Sequence, residues 1–299
     1  MRYICALTIA GSDSCGGAGV QADIKTMSAL GVYAASAITS ITVQNTMGVQ
    51  AIQAIKSEIV AGQIKAVMDD IKPLAIKIGM VNDKATIQAI ADTLKIYSPN
   101  ILVVDPVMVS TSGSMLMQKD ALGVFCSDLL PMATLLTPNI PEAEVLSQTK
   151  ISTAEDMDIA AKRILEFGCK AVLIKGGHLE GGKKIDKLYT AEAEPATFVH
   201  DTIETRNTHY HNVINFSGLS IFSECRLSLT IETRNTHGTG CTLSSAITSF
   251  MARGQKMTDA VAYAKEYLSN ALEAGKDIHI GEGHGPVDHF FNPEKLMTL

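Results

Sequence analysis

The chain has 299 residues, of which 46% are hydrophobic, enough for the core of one large α/β domain or two small ones. Twenty-five Lys and Arg against 31 Asp and Glu give a net charge of -6, which argues against a basic surface for nucleic acid or acidic lipid. No apolar run is long enough to span a membrane and the N-terminus lacks a signal cleavage site, so we expect a cytoplasmic protein with a small-molecule partner.

Short β-branched runs alternate with amphipathic stretches along most of the chain. The runs YICALTIA (3–10), LAIKIGM (74–80) and ILVVD (101–105) are typical of strands, and stretches such as SEIVAGQIKAVMDDI (57–71) are typical of helices. Strands joined by helical crossovers form a mainly parallel sheet that is covered on both faces. We therefore predict an α/β fold whose ligands bind at the carboxyl ends of the strands.

Two Gly-rich segments follow predicted strands. AGSDSCGGAGVQAD (10–23) does not have the G-x-G-x-x-G spacing of a dinucleotide site, so it is either a tight strand-to-helix turn or a turn that faces a ligand. GHLEGGKK (177–184) nearly matches a P-loop, but Lys184 replaces the hydroxyl residue that holds magnesium. We interpret this second segment as a hairpin turn.

A third Gly-rich segment, NTHGTGCTLSSAITSF (235–250), leads into a predicted helix. Backbone N–H groups at a helix N-terminus form an anion site, so a phosphate could be held here without a P-loop. The same positive potential is expected to lower the pKa of the Cys241 thiol, and a thiolate could accept a proton from a hydroxyl. The alternative is a cysteine that only packs in the first helical turn.

Acidic and amide side chains follow two other predicted strands. Asp105 ends the buried run ILVVD, where a carboxylate needs a partner such as a cation. Asn139 and Glu142 lie in TPNIPEAE (137–144), and their spacing fits a helix capping box. The alternative role for Glu142 is to hold Mg²⁺ through water.

From about Asp186 the alternation becomes irregular, and helices resume only at TLSSAITSFMARG (242–254). No shift in composition marks a linker. We therefore expect a single domain over residues 1–299.

Several segments, taken together and in this order, resemble one family. They are TIAGSDSCGGAGVQADIKTMSALG, VQNTMGV, KIGM, VVDPVM, TPNIPEAE, KGGH, NTHGTGCTLSSAI and GHGPVDHF. They are similar to bacterial hydroxymethylpyrimidine/phosphomethylpyrimidine kinases of thiamin biosynthesis, which belong to the ribokinase-like superfamily. The resemblance covers nearly the whole chain except roughly residues 202–229.

The resemblance implies a ribokinase-like three-layer α/β/α fold with a mainly parallel central sheet, in a protein that forms a homodimer. It implies transfer of the γ-phosphate of ATP, with Mg²⁺, to 4-amino-5-hydroxymethyl-2-methylpyrimidine and then to its monophosphate. By matching position, Gln44 would form a hydrogen bond with the pyrimidine. The pocket around the pyrimidine would be lined by Gly11, Asp23, Met80 and Val107.

The resemblance also implies roles around the phosphates. ATP would be bound by Asn139, Lys175, Gly177 and Lys265, the last by analogy only. Asp105 and Glu142 would serve the magnesium ion. The anion hole would be formed by Gly238, Thr239, Gly240 and Cys241, with Cys241 at the position where many superfamily members have an Asp base.

The sequence TIETRNTH occurs twice, at 202–209 and 230–237. Deleting residues 202–229 would leave FVHDTIETRNTHGTGC, which follows the family pattern, so we predict that the second copy belongs to the site. A local duplication is the simplest origin of the repeat. The inserted segment is a lid over the substrate, an edge strand or a passive surface loop, and we favour the passive loop.

Two other functions remain open from the sequence. A pyridoxine/pyridoxal-type kinase of the same superfamily is one, whereas sugar kinases are disfavoured because they generally carry Asp at position 241. The other is a non-catalytic pyrimidine-binding module that the insertion has inactivated. The intact residues Asp105, Glu142 and Lys175 argue against this second alternative.

Overall fold

The computed structural model describes residues 1–108, 116–176, 184–191, 193–204, 213–216 and 231–299. The strands within these residues are β1 (Cys5–Ser12), β2 (Tyr33–Asn45), β3 (Gly48–Ala54), β4 (Ala75–Ile78), β5 (Leu102–Val104), β6 (Leu135–Leu136), β7 (Ala171–Ile174), β8 (Lys184–Thr190), β9 (Ala196–Glu204), β10 (Val213–Phe216) and β11 (Ile231–Glu232). The helices are α1 (Gly19–Ala29), α2 (Ser57–Asp70), α3 (Lys84–Tyr97), α4 (Ala121–Val124), α5 (Ile140–Ser147), α6 (Ala154–Leu165), α7 (Thr239–Ala252) and α8 (Met257–Gly275). In this part of the chain no helix combines the length and the hydrophobicity needed to cross a membrane.

All of these strands belong to one sheet with the order β10-β9-β8-β7-β6-β5-β4-β1-β2-β3, and β11 pairs with β9. The strands from β2 through β1, β4, β5 and β6 to β7 are parallel to their neighbours. Antiparallel pairs flank them, β2 with β3 on one side and β7 through β10 on the other. The predicted α/β fold with a mainly parallel sheet is confirmed.

The two faces of the sheet carry separate cores because successive side chains of a strand point in opposite directions. Val104 packs with α2 to α6, and Cys5 and Cys169 lie in the same core. Val103, the preceding residue, packs with α7 and α8 on the other face. Burying a side chain of this kind contributes about 1.5–3 kcal/mol, so the two cores hold the helical layers against the sheet.

The inserted segment 202–229 lies mostly outside the described residues. Its described parts are the end of β9 and the strand β10, which pair antiparallel. Strand β11 comes from the second TIETRNTH copy and pairs parallel with β9, with Ile231 in register with Ile203 and Glu232 in register with Glu204. Equivalent residues of the two copies therefore lie opposite each other in the sheet.

Gly177 and most of the predicted GHLEGGKK turn also lie outside the described residues. The strands on either side, β7 and β8, pair antiparallel with Ile174 opposite Lys187. This pairing is the one that a hairpin requires.

His289 gives the fold a dependence on pH. Its Nε2 lies 3.1 Å from Thr242 Oγ1, and burial, helped by the charge of Lys25, lowers its pKa from 6.5 to about 4. Between pH 6.5 and 4 the unfolded chain takes up a proton at this residue and the folded chain does not, so stability falls as the pH falls.

We expect His289 to reduce the free energy of unfolding by about 2 kcal/mol between neutral pH and pH 5, at 1.36 kcal/mol per unit of pKa shift. Urea titrations at several pH values would measure this in the wild type and in His289→Gln. The difference between the two pH slopes isolates this residue from other titrating groups. Identical slopes would contradict the prediction.

Candidate active site

An ion pair lies where two parallel strands end. Asp105 follows β5 and Lys175 follows β7, and Lys175 Nζ lies 3.2 Å from Asp105 Oδ1. Thr137 Oγ1 donates to the same oxygen at 3.2 Å, and Ser244 Oγ donates to Asp105 Oδ2 at 3.3 Å. Because Asp105 is only 2% exposed, its charge requires these partners. The ion pair therefore lies at the carboxyl ends of two parallel strands, the edge of the sheet at which we predicted that ligands bind.

The N-terminus of α7 lies over this ion pair. Gly238 is the N-cap of the helix, with φ +81°, and as a glycine it offers no side chain to cap the first N–H groups. A Cβ on Gly238 would overlap the carbonyl oxygen of Gly17, so the backbone conformation and the space both require glycine. A Cβ on Gly240 would lie 3.5 Å from Asp105 Oδ2 and 3.7 Å from Lys175 Nζ. Helix N–H groups and an ammonium therefore face the same small region, which is the arrangement of an anion site.

Asn139 and Glu142 form the predicted capping box at the start of α5. The Asn139 side chain accepts from the Glu142 N–H at 2.9 Å, and Glu142 Oε2 accepts from the Asn139 N–H at 2.9 Å. Burial raises the pKa of Glu142 to about 7, with the Lys175 charge opposing this rise and the Asp105 charge adding to it. Glu142 therefore lies within the electrostatic reach of the ion pair while it also caps the helix.

A second group of residues lies at the ends of β1 and β2. A Cβ on Gly11 would overlap Cε of Met80 and lie 2.8 Å from Ser40 Oγ. The Ser40 hydroxyl is fully buried and has no hydrogen-bond partner within the described residues. Gln44 is held by Ser14, whose Oγ donates to the Gln44 carbonyl at 2.7 Å. A buried hydroxyl without a partner beside an adaptable Met side chain suits a pocket for a polar ligand.

The model of the phosphomethylpyrimidine kinase family matches residues 13–210 and 224–288 of the chain. The chain belongs to this family. The hydroxymethylpyrimidine/phosphomethylpyrimidine kinase of Rhizobium meliloti (strain 1021) is 46% identical over 289 residues, which are 95% of this chain and 96% of that protein. The match to the family model omits residues 211–223, which lie between the two TIETRNTH copies.

Two solved structures are also similar to this family member. The phosphomethylpyrimidine kinase from Clostridium difficile 630 has a TM-score of 0.71 and 42% identity, covering 90% of this chain and 99% of its own. An ADP complex of Bacillus subtilis pyridoxal kinase has a TM-score of 0.78 and 32% identity, covering 96% and 98%. The predicted ribokinase-like fold and the predicted family are confirmed.

Cys241 does not have the lowered pKa that we predicted from its position. Burial raises the pKa of this thiol to about 11, although the Lys77 ammonium and the Gly19 N–H oppose the rise. The helix end supplies favourable potential, but the loss of hydration disfavours the thiolate more strongly. The prediction of a low-pKa thiolate is therefore wrong.

Asp23 is buried inside the protein, where a ligand does not reach it. It has no exposed surface, and both of its oxygens lie 2.9 Å from Lys77 Nζ. Ser245 Oγ donates to it at 2.6 Å. The predicted contact between Asp23 and a substrate is therefore replaced by contacts within the protein.

The remaining predicted residues are placed as follows. Lys265 is 4% exposed and forms an ion pair with Asp186. Burial lowers the pKa of Lys265, Asp186 opposes this shift, and the charge of Lys175 adds to it. Val107 is half-buried, two residues after Asp105. The roles of Lys265 in binding ATP and of Val107 in the pocket stay predictions.

Sequence reasoning missed Lys77, Asp13 and His237. Lys77 lies in the run KIGM, where its neighbours suggested only an apolar strand. Asp13 and His237 belong to the two Gly-rich segments that we singled out, and His237 Nε2 lies 2.8 Å from Asp13 Oδ2. The signal that could have identified them was the position of Asp13 within AGSDS and of His237 directly before GTGC.

Proposed function

We propose that this chain transfers the γ-phosphate of ATP to 4-amino-5-hydroxymethyl-2-methylpyrimidine and then to the resulting monophosphate, in thiamin biosynthesis. The observation that carries the proposal is the convergence of Lys175, Asp105 and the N-terminus of α7 in a member of the phosphomethylpyrimidine kinase family. Relatives named as kinases over nearly the full length of the chain support it.

The residues of the site suit phosphoryl transfer because this reaction needs positioning and neutralisation of negative charge. The substrate hydroxyl oxygen attacks the γ-phosphorus, the bond to the β-phosphate oxygen breaks, and ADP leaves. Lys175 and the N–H groups around Gly240 would stabilise the charge on the migrating phosphoryl group. The hydroxyl proton must leave during the same step.

Mg²⁺ would be held near Asp105 and Glu142. The two carboxylates supply the hard oxygen ligands that this ion prefers, and each influences the charge of the site. Glu142 already accepts the Asn139 N–H, which suits a contact through water rather than a direct one. When bound, the ion would neutralise charge on the phosphates.

Cys241 is the proposed acceptor of the hydroxyl proton, and its thiol must first be ionised. With a pKa of about 11, ionisation at pH 7 costs about 5 kcal/mol. If Cys241 is the base, we expect kcat to rise about tenfold per pH unit between pH 7 and pH 9, because the thiolate fraction rises in proportion. Steady-state assays over this range would measure it, and Cys241→Asp should remove the rise. Retained kcat in Cys241→Ser would contradict the role as base.

The proposed function is tested by an ADP-release assay with magnesium-ATP and hydroxymethylpyrimidine, with mass detection of the mono- and diphosphate. Pyridoxine is the parallel substrate, because the B. subtilis pyridoxal kinase has the higher TM-score of the two structures. Turnover of the pyrimidine to both products supports the proposal. Turnover of pyridoxine alone would replace it with a pyridoxine-type kinase.

We propose a single domain over residues 1–299, which the shared sheet of all described strands supports. The homodimer and the cytoplasmic location stay predictions. Deleting 202–229 tests the insertion, and the lid hypothesis fails if KM and kcat are unchanged.

A further inference from the structure

His237 joins the two Gly-rich segments beside the pocket. It precedes Gly238 of the α7 N-terminus, and a Cβ on Gly17 would overlap its ring. Its Nε2 lies 2.8 Å from Asp13 Oδ2 and 3.3 Å from Gln44 Nε2. One imidazole nitrogen therefore faces both a carboxylate and the side chain that the family resemblance assigns to the pyrimidine.

The contact with Asp13 decides which atom carries the hydrogen. Asp13 also accepts the N–H groups of Cys15, Gly17 and Ala18 at 2.8–3.1 Å, and these bonds and His237 lower its pKa against the effect of burial. Asp13 is thus an acceptor, so a lone pair on His237 Nε2 at 2.8 Å would be repelled. His237 Nε2 must therefore donate a hydrogen to Asp13.

This hydrogen in turn decides the direction of the Gln44 amide. As placed, the Gln44 NH₂ group faces a His237 nitrogen that already bears a hydrogen. Turning the amide by 180° exchanges Oε1 and Nε2, two atoms of nearly equal size. Oε1 then faces His237 Nε2. The NH₂ group then takes the position of Oε1, which lies 3.2 Å from Thr42 Oγ1. Thr42 Oγ1 can accept this bond because its own hydrogen goes to the Ser12 carbonyl at 2.9 Å.

We propose that His237, held by Asp13, fixes the direction of the Gln44 amide and so makes the pocket select an aminopyrimidine over a pyridine. This inference rests on the substrate of the proposed function, the pyrimidine that the family resemblance places at Gln44, and not on its phosphorylation. The fixed amide keeps one N–H and one oxygen lone pair for a ligand. Together these match the ring nitrogen and adjacent amine of a 4-aminopyrimidine, whereas pyridoxine has no ring amine. His237 is thus a positioning residue for specificity.

The test is calorimetric binding of hydroxymethylpyrimidine, pyridoxine and ADP to the wild type and to His237→Phe. Phenylalanine keeps a flat ring over Gly17 and removes the donor. We expect hydroxymethylpyrimidine to bind at least about tenfold more weakly, the loss of about one hydrogen bond, with the dissociation constants of ADP and pyridoxine changed less than threefold. Equal weakening of all three ligands would overturn the inference, because it indicates general damage to the pocket. His284→Phe, in the neighbouring C-terminal loop, is the matched control.

A double-mutant cycle keeps the inference testable if His237→Phe also disturbs the loop. In a Gln44→Ala background, His237→Phe should weaken pyrimidine binding less than twofold further, since its effect passes through Gln44. If the two substitutions weakened pyrimidine binding by independent factors that multiply in the double variant, the inference would be overturned. Binding does not require turnover, so a wild type that binds hydroxymethylpyrimidine selectively but does not phosphorylate it would refute the proposed function and leave this inference standing.

Discussion

Lys175→Met is expected to lower kcat by about 10²–10³-fold, the loss seen when one preorganised charge-stabilising group is removed from an active site. Lys175 Nζ lies 3.2 Å from Asp105 Oδ1 and 3.7 Å from the point that a Cβ added to Gly240 would occupy. Lys175 therefore faces the proposed path of the phosphoryl group. Its pKa is raised by the charges of Asp105 and Glu142 against the effect of burial, which keeps the ammonium charged during turnover. Initial-rate kinetics with saturating ATP and pyrimidine would measure the loss.

Lys187→Met is the matched control for this substitution. Lys187 also forms an ion pair, with Asp158 at 2.8 Å, but Asp158 is on α6 rather than at the strand ends of the site. We expect its kcat to stay within threefold of the wild type. The affinity for hydroxymethylpyrimidine should be nearly unchanged in both variants, because Lys175 acts on the phosphates. A kcat within threefold of the wild type in Lys175→Met would refute the assignment of Lys175.

The sequence predicted the parts of the site that follow from topology. Asp105 was singled out because it follows a buried strand, and parallel strands bring their carboxyl ends to one edge of the sheet. Lys175 follows β7 at the same edge, but it was assigned only through the family resemblance. The helix start after Gly238 was readable from two glycines before an apolar pattern. The Asn139 and Glu142 capping box follows from spacing alone, because its bonds join residues only three positions apart.

The sequence did not predict properties that depend on burial by distant segments. The pKa of Cys241 is set by desolvation, which a position within a helix does not reveal. Asp23 and Lys77 are 54 positions apart, and nothing in either segment indicates that the two charges pair. Asp13 and His237 are 224 positions apart, and only the fold brings the two Gly-rich segments together.

Lys77→Met is expected to reduce the free energy of unfolding by about 3–5 kcal/mol, because it leaves the Asp23 carboxylate buried without its cation. Neither side chain of this pair is exposed. The carboxylate connects four elements: Lys77 lies on β4, Asp23 on α1, Thr8 on β1 and Ser245 on α7. Urea unfolding would measure the loss, provided that the m-value, the slope of the free energy of unfolding against urea concentration, is the same in both proteins.

The double variant Lys77→Met/Asp23→Asn removes both charges. It should recover a substantial part of the lost stability, because the unpaired buried charge, rather than the lost attraction, dominates the cost. If the single and double variants were equally destabilised, the loss would come from packing around position 77. If Lys77→Met lost less than 1 kcal/mol, the buried pair would not hold α1 and α7 to the sheet.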